Sequence, residues 1–92
     1  MNGDVINSAA HQRYELHTDG GIAVAYYEAR GPNIAFTHTV VPDRLQGRGL
    51  ASKLIKAALA DVRERGLKVI AECPFVARYI ERHPEEGDLL AE

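Results

Sequence analysis

The stretch between Val40 and Leu54 constrains the fold most, because a strand, a glycine turn and a helix must follow one another over a short distance. Pro42 has no N–H to donate to a sheet, so it ends the strand. Gly47 and Gly49 then leave backbone N–H groups uncovered where the positive end of the helix dipole lies. Anions are stabilised at such positions. The stretch therefore predicts a site for a phosphate-bearing ligand.

The helix itself is indicated by an apolar stripe between residues 46 and 65. Apolar side chains recur at every fourth position, as in a helix that lies with one face on a sheet. These side chains are Leu50, Leu54, Ala58 and Val62, flanked by Ala51, Ile55 and Leu59. Gly66 stands where a left-handed C-terminal cap favours glycine, so it marks the end of the helix.

Three runs before the helix have the period of β-strands. The first begins at Gln12, the second covers residues 22–29 and the third covers residues 34–41. Residues 19–21 and 30–33 carry the glycine, asparagine and proline of tight turns. The pattern predicts an antiparallel meander of three strands.

Alternation along the third run predicts which of its side chains share a face, because successive residues of a strand point to opposite sides. One face receives Ile34, Phe36, His38 and Val40, and the other receives Ala35, Thr37, Thr39 and Val41.

Beyond the helix, residues 67–72 read as a short buried strand. Pro74 suits the first position of a short amphipathic helix, which ends at His83-Pro84. An acidic tail follows, with Leu89 and Leu90 as its docking point. We expect residues 1–11 to be a flexible N-terminus and residues 12–92 to form one domain.

Composition narrows the class of protein. With 92 residues the chain has room for one domain, and 46% hydrophobic residues are typical of a globular protein. A formal net charge of −2 gives no overall attraction to nucleic acid. The lone Cys73 cannot form an intrachain disulfide, and no apolar run approaches the ~18 residues of a membrane span. We expect a cytoplasmic protein with neither a nucleic-acid nor a membrane partner.

Two phosphate-binding patterns fit the glycine turn poorly. The P-loop requires Lys-Ser or Lys-Thr directly after its second glycine, and nothing here supplies it. The dinucleotide fingerprint is matched by Gly47, Gly49 and the later acid Glu72, but Ser52 stands in place of the third glycine.

A third pattern, [Q/R]-x-x-G-x-[G/A], is matched by Arg44-Leu45-Gln46-Gly47-Arg48-Gly49. It resembles the acetyl-CoA signature of the GNAT superfamily of N-acetyltransferases. The order meander, glycine turn, helix, strand, helix is also that of the superfamily. Further runs are similar to its short, single-domain subgroup: His38-Thr39, Cys73-Pro74-Phe75-Val76, and Tyr79-Ile80 with His83-Pro84. The likeness covers residues 14–90 and implies an α/β, minimal GNAT fold.

The resemblance implies acetyl-CoA as a cosubstrate, with no metal. The pantetheine arm would lie where the third strand splays from the 67–72 strand, beside Thr39, Val40 and Val41. The pyrophosphate would meet the turn and the charges around it, which are Arg44, Gln46, Gly47, Arg48, Gly49 and Leu50.

Three residues are candidates for the chemistry. The subgroup commonly places Glu where this chain has Val40, so a carboxylate base is missing there. His38 has an imidazole suited to proton transfer near neutral pH, or it packs beside Phe36. Cys73 precedes a helix and is a candidate acyl acceptor, or a small core residue. Tyr79 resembles the tyrosine that protonates the leaving CoA thiolate, although its position also suits packing.

The leading hypothesis is an acetyl-CoA-dependent N-acetyltransferase that acts on an amine of a small molecule or a protein. The alternative is a non-catalytic acyl-CoA-binding or protein-interaction module, which Val40 favours. Larger members of the superfamily that the chain resembles insert helices between the first two strands to shape the acceptor pocket. By that resemblance, the tight turn at residues 19–21 implies an acceptor side that is open or completed by another subunit. The amine acceptor stays unknown, and both a monomer and a homodimer are open.

Overall fold

A computed structural model describes residues 5–91, which share one five-stranded sheet and one core. The strands are β1 (Val5–Ser8), β2 (Arg13–Thr18), β3 (Gly21–Arg30), β4 (Asn33–Val40) and β5 (Lys68–Ala71). The helices are α1 (Leu50–Glu64) and α2 (Pro74–Arg82), with short 3₁₀ turns at Ala9–His11, Asp43–Leu45 and Pro84–Leu89. The strands follow chain order across the sheet; β1 to β4 are antiparallel, and β5 is parallel to β4. The predicted α/β architecture is confirmed.

The N-terminus departs from the sequence-based expectation. Residues 5–8 are strand β1, in which Val5 lies opposite Leu16 and Ser8 opposite Arg13. The prediction of a flexible segment is therefore wrong for residues 5–11, while residues 1–4 lie outside the described part of the chain. Four residues are too few for a period to be read, and the partner strand alone defines β1. Gln12, with φ 52°, turns the chain into β2.

The core lies between the sheet and the two helices. The buried face of α1 consists of the predicted stripe, Leu54, Ile55, Ala58, Leu59 and Val62, each with 0% exposure. It packs on what we call the inner face of the sheet, which presents Tyr14, Leu16, Ala23, Ala25 and Phe36. The Tyr14 hydroxyl also donates to Asp61 Oδ2 of α1 at 2.6 Å. Burial and this bond raise the pKa of Tyr14 and fasten the helix to β2.

A β-bulge in β4 changes which side chains share a face. Tyr27 pairs with Phe36 but its neighbour Tyr26 pairs with His38, so Thr37 has no residue opposite it. An extra residue inverts the alternation after it. His38 consequently lies on the outer face of the sheet while Phe36 lies on the inner face. The prediction that Ile34, Phe36, His38 and Val40 share one face is wrong, because strict alternation assumes a regular strand.

The acidic tail docks at the opposite end of the sheet from β1. Leu89 is buried, and the Ala91 N–H donates to the carbonyl of Val69 in β5 at 2.8 Å. Arg63 of α1 pairs with Asp88 at 2.7 Å. The tail therefore covers the edge of β5. Its predicted docking is confirmed for Leu89, whereas the side chain of Leu90 is 40% exposed. Among residues 5–91, no helix is long and apolar enough to cross a membrane.

A carboxylate held in the outer face gives the fold a pH dependence. Glu15 is only 8% exposed; Arg13 Nε donates to it at 2.7 Å, and His17 Nε2 lies 2.8 Å from it. The hydrogen bond from Arg13, followed by that from His17, lowers the pKa of Glu15 below its ordinary 4.5. Its stabilising effect is therefore present above the unfolded-state pKa and is lost as pH falls through the folded-state pKa.

We expect Glu15→Gln to lower the free energy of unfolding at neutral pH, with a difference from wild type that shrinks as the pH falls from neutral to values below the ordinary glutamate pKa of 4.5. Urea denaturation across this range measures it. Glu81→Gln, at an exposed carboxylate on α2, is the control and should show little difference at any pH. A difference for Glu15→Gln that stays constant with pH would contradict the assigned cause.

Candidate active site

A gap opens where β4 and β5 diverge. The two strands pair from Asn33 opposite Lys68 to Phe36 opposite Ala71. The last bond between them runs from the Cys73 N–H to the carbonyl of Phe36 at 2.8 Å. Beyond it β4 continues to Val40, whereas the other chain segment turns into α2. The predicted splay therefore begins between Phe36 and Cys73.

A cavity of about 360 Å³ lies at the end of β4 and joins it to the glycine turn. Six of the nine predicted cofactor residues line it: Thr39, Val41, Gln46, Gly47, Gly49 and Leu50. The other three do not; Val40 points from the outer face, and Arg44 and Arg48 are exposed at the turn. Phe75 of α2, 37% exposed, completes the wall. Phe75 is not among the site residues predicted from the sequence.

The glycines of the turn hold a left-handed backbone. Gly47 has φ 83° and Gly49 has φ 72°, conformations that other residues adopt at a cost. A Cβ at either position would meet no described atom within 4 Å. Gly49 is the residue that precedes α1, and among residues 5–91 no side chain caps that end of the helix. The space in front of the turn is thus open to a ligand, and the helix N-terminus favours an anion there.

Cys73 lies at the inner side of the gap. Its Sγ is 3.4 Å from Oγ1 of Thr39, a residue of the cavity wall. The cysteine is 3% exposed and directly precedes Pro74, the first residue of α2. The thiol is therefore adjacent to the cavity and part of the core at once.

His38 is not brought together with Cys73. Its ring stacks on Tyr26 at 4.5 Å between centroids, on the outer face, and its Nδ1 lies 3.2 Å from Thr37 Oγ1. Thr39, the next residue, pairs with Ala25 and points to the inner face. His38 is exposed, and the alternative that it packs beside Phe36 is wrong because the bulge separates them.

Tyr79 is 7% exposed and belongs to the core. Its ring stacks on His83 at 4.0 Å, and His83 Nδ1 lies 2.8 Å from the Tyr79 carbonyl oxygen. Burial, followed by the charges of Glu86 and Glu85, raises the pKa of Tyr79. The hydroxyl therefore keeps its proton near neutral pH, which both packing and proton donation require.

A second cavity, of about 350 Å³, lies between β1 and α1. It is lined by Val5, Asn7 and Tyr14 from the sheet and by Lys56 and Glu64 among the helix residues. It shares no wall with the glycine turn or Cys73. Among the described residues no cluster of His, Cys, Asp and Glu could hold a metal ion.

Comparison with known proteins identifies the family of the chain. The profile of the GCN5-related N-acetyl-transferase family matches residues 13–89, most of the chain. The chain belongs to this family. This GCN5-related chain also superposes on the NMR solution structure of a GCN5-like protein from Staphylococcus aureus, with a TM-score of 0.74 and 28% identity. The superposition covers 98% of this chain and 89% of the other.

Curated relatives of this GCN5-related chain include Protein NATD1 of Gallus gallus and of Mus musculus. Each is 43% identical over 63 residues, which is 67% of this chain. Protein NATD1 of Homo sapiens matches equally well. The match spans 57%, 57% and 56% of the lengths of these three relatives, so they extend well beyond the shared region.

Proposed function

We propose that this chain is an acetyl-CoA-dependent N-acetyltransferase that moves an acetyl group to an amine of a small molecule or a protein. The observation that carries the proposal is the cavity that joins the glycine turn to Thr39, whose hydroxyl touches Cys73. A ligand with a phosphate at one end and a thioester at the other matches both ends of this cavity. The lone cysteine agrees with a reducing, cytoplasmic setting.

The turn supplies the contacts for the phosphate end of acetyl-CoA. Backbone N–H groups after Gly47 and Gly49 would donate to the pyrophosphate, and Arg44 and Arg48 would add positive charge from solvent. The end of β4 stays paired with β3 but no longer pairs with β5 beyond Phe36, so the chain around Thr39 and Val41 would offer backbone groups to the amides of the pantetheine arm. Positioning of this kind requires no acidic residue at Val40.

The chemistry at the thioester end needs a group that takes the proton of the amine and one that returns a proton to the leaving CoA sulfur. His38, on the outer face, is our proposed base. Tyr79, which keeps its proton near neutral pH, is our proposed acid. Cys73 is the proposed acyl acceptor of a two-step alternative. Sγ attacks the thioester carbon, the bond from that carbon to the CoA sulfur breaks, and CoA leaves with the thiol proton in place of one from Tyr79. The amine then attacks the acetyl carbon on Sγ, that carbon–sulfur bond breaks, and the proton lost by the amine returns to Sγ.

A non-catalytic acyl-CoA-binding or interaction module is the second candidate. Val40 favours it, since the subgroup commonly has a carboxylate where this chain has an apolar side chain. The 3% exposure of Cys73 also favours it, because a buried thiol must be uncovered before it reacts.

Release of CoA thiol on a panel of small amines and amine-bearing peptides distinguishes the two candidates. We expect acceptor-dependent release by the wild-type chain, slower release by Tyr79→Phe, and none by Gly49→Leu, which is the blank. Acetyl-CoA binding without release on any acceptor would support the non-catalytic module instead. Calorimetry on the same samples supplies the binding measurement.

A further inference from the structure

The bulge of β4 brings three groups of the outer face into one chain of contacts. Thr37 Oγ1 donates to the carbonyl oxygen of Tyr26 at 3.4 Å and lies 3.2 Å from His38 Nδ1. The His38 ring is held parallel to the Tyr26 ring, with 22° between their planes. Tyr26 is itself held by Arg13, whose guanidinium donates to the Tyr26 hydroxyl at 3.1 Å. The imidazole is therefore fixed in both position and orientation.

The number of protons available to these contacts selects one tautomer of the His38 imidazole. A hydroxyl has a single proton, and we assign that of Thr37 to the carbonyl of Tyr26, which can only accept. Thr37 Oγ1 must then accept from His38, so Nδ1 carries the ring proton. Nε2 is left with its lone pair, and within residues 5–91 His38 makes no other hydrogen bond, ion pair or ring contact. Which nitrogen carries the proton is decided by the bond made by the other.

We propose that Thr37 is a positioning residue that fixes the tautomer of His38 so that Nε2 accepts a proton. The bulge thus has two effects, since it turns His38 to the outer face and supplies the hydroxyl that selects its tautomer. The catalytic role of this tautomer rests on the proposed function. The tautomer itself can be measured without any turnover.

The chain contains its own reference for each tautomer. Nε2 of His17 faces a carboxylate oxygen of Glu15 at 2.8 Å, so it carries a proton. Nδ1 of His83 faces the carbonyl oxygen of Tyr79 at 2.8 Å, so there the proton is on Nδ1. His38 should therefore resemble His83 and differ from His17.

The test is ¹H–¹⁵N NMR of the full chain with labelled histidine, at about pH 8, where free imidazole is neutral. His38→Gln identifies the signals of His38. We expect an unprotonated Nε2 in the wild type and in Thr37→Ser, which keeps the hydroxyl. Thr37→Val, which removes it at similar size, should shift His38 toward a mixture of tautomers. A protonated Nε2 in the wild type overturns the proposal even if Thr37→Val does not fold.

Kinetics separate this inference from the proposed function. We expect Thr37→Val to lower kcat about tenfold with the KM for acetyl-CoA unchanged, and Thr37→Ser to restore it; His38→Ala should lose about a hundredfold, as is usual for a general base. If His38 has the expected tautomer but neither the wild type nor any variant turns over acetyl-CoA, the proposed function is rejected. The positioning of His38 by Thr37 then still stands. Full turnover by Thr37→Val, or a tautomer that does not change in it, would reject the positioning role.

Discussion

Gly49→Leu is expected to weaken acetyl-CoA binding by at least about a hundredfold, which corresponds to about 2.7 kcal/mol. A side chain at this position would extend into the open space before the turn, where a Cβ meets no described atom within 4 Å. It would cover the N–H groups that the pyrophosphate needs and exclude the anion from the end of α1. Isothermal titration calorimetry measures the loss.

Gly66→Leu is a matched control for this substitution. Gly66 shares the φ of 72° with Gly49 and also has open space around it, but it follows the opposite end of α1. Both variants should lose about 1–2 kcal/mol of folding stability, the usual cost of the left-handed conformation. Only Gly49→Leu should lose affinity. Equal acetyl-CoA binding by the two variants would show that the turn is not the pyrophosphate site.

Incubation with acetyl-CoA alone should leave one acetyl group on the wild-type chain and none on Cys73→Ser. The thiol lies beside the cavity wall, with Sγ 3.4 Å from Thr39 Oγ1, and Cys73 directly precedes α2. Serine keeps the size of the side chain and a hydroxyl near Thr39 but is a far weaker nucleophile. Intact-mass spectrometry shows the added acetyl group, and peptide mapping places it.

The burial of Cys73 supports the opposite expectation, that its thiol is not acetylated. At 3% exposure the thiol can simply fill the core between β4 and α2. In that case neither protein gains mass, and Cys73→Ser acetylates amines as fast as the wild type. Cys73 would then be a packing residue, and the amine would attack acetyl-CoA directly. A Gly49→Leu sample acetylated as fast as the wild type would indicate nonspecific labelling.

The parts of the fold whose apolar residues recur with a regular period could be predicted from the sequence. The predicted helix between residues 46 and 65 is α1 (Leu50–Glu64), because a side chain stripe with the period of a helix and a glycine at its end are local signals. The same holds for Pro74 at the start of α2 and for the hairpin turns of the meander. The glycine turn lines the main candidate cavity, as its sequence suggested.

The tertiary structure decided what depends on pairing between distant residues. Nothing near Val5 in sequence marks it as a strand, since β1 exists only through its register with β2. The bulge at Thr37 arises from the register of β4 on β3. This single extra residue moves His38 to the outer face and brings Thr39 to the inner face, beside Cys73. Local sequence signals determined which elements form and where the glycine turn lies. The faces of the candidate catalytic side chains were decided by non-local hydrogen bonding, which a local pattern does not encode.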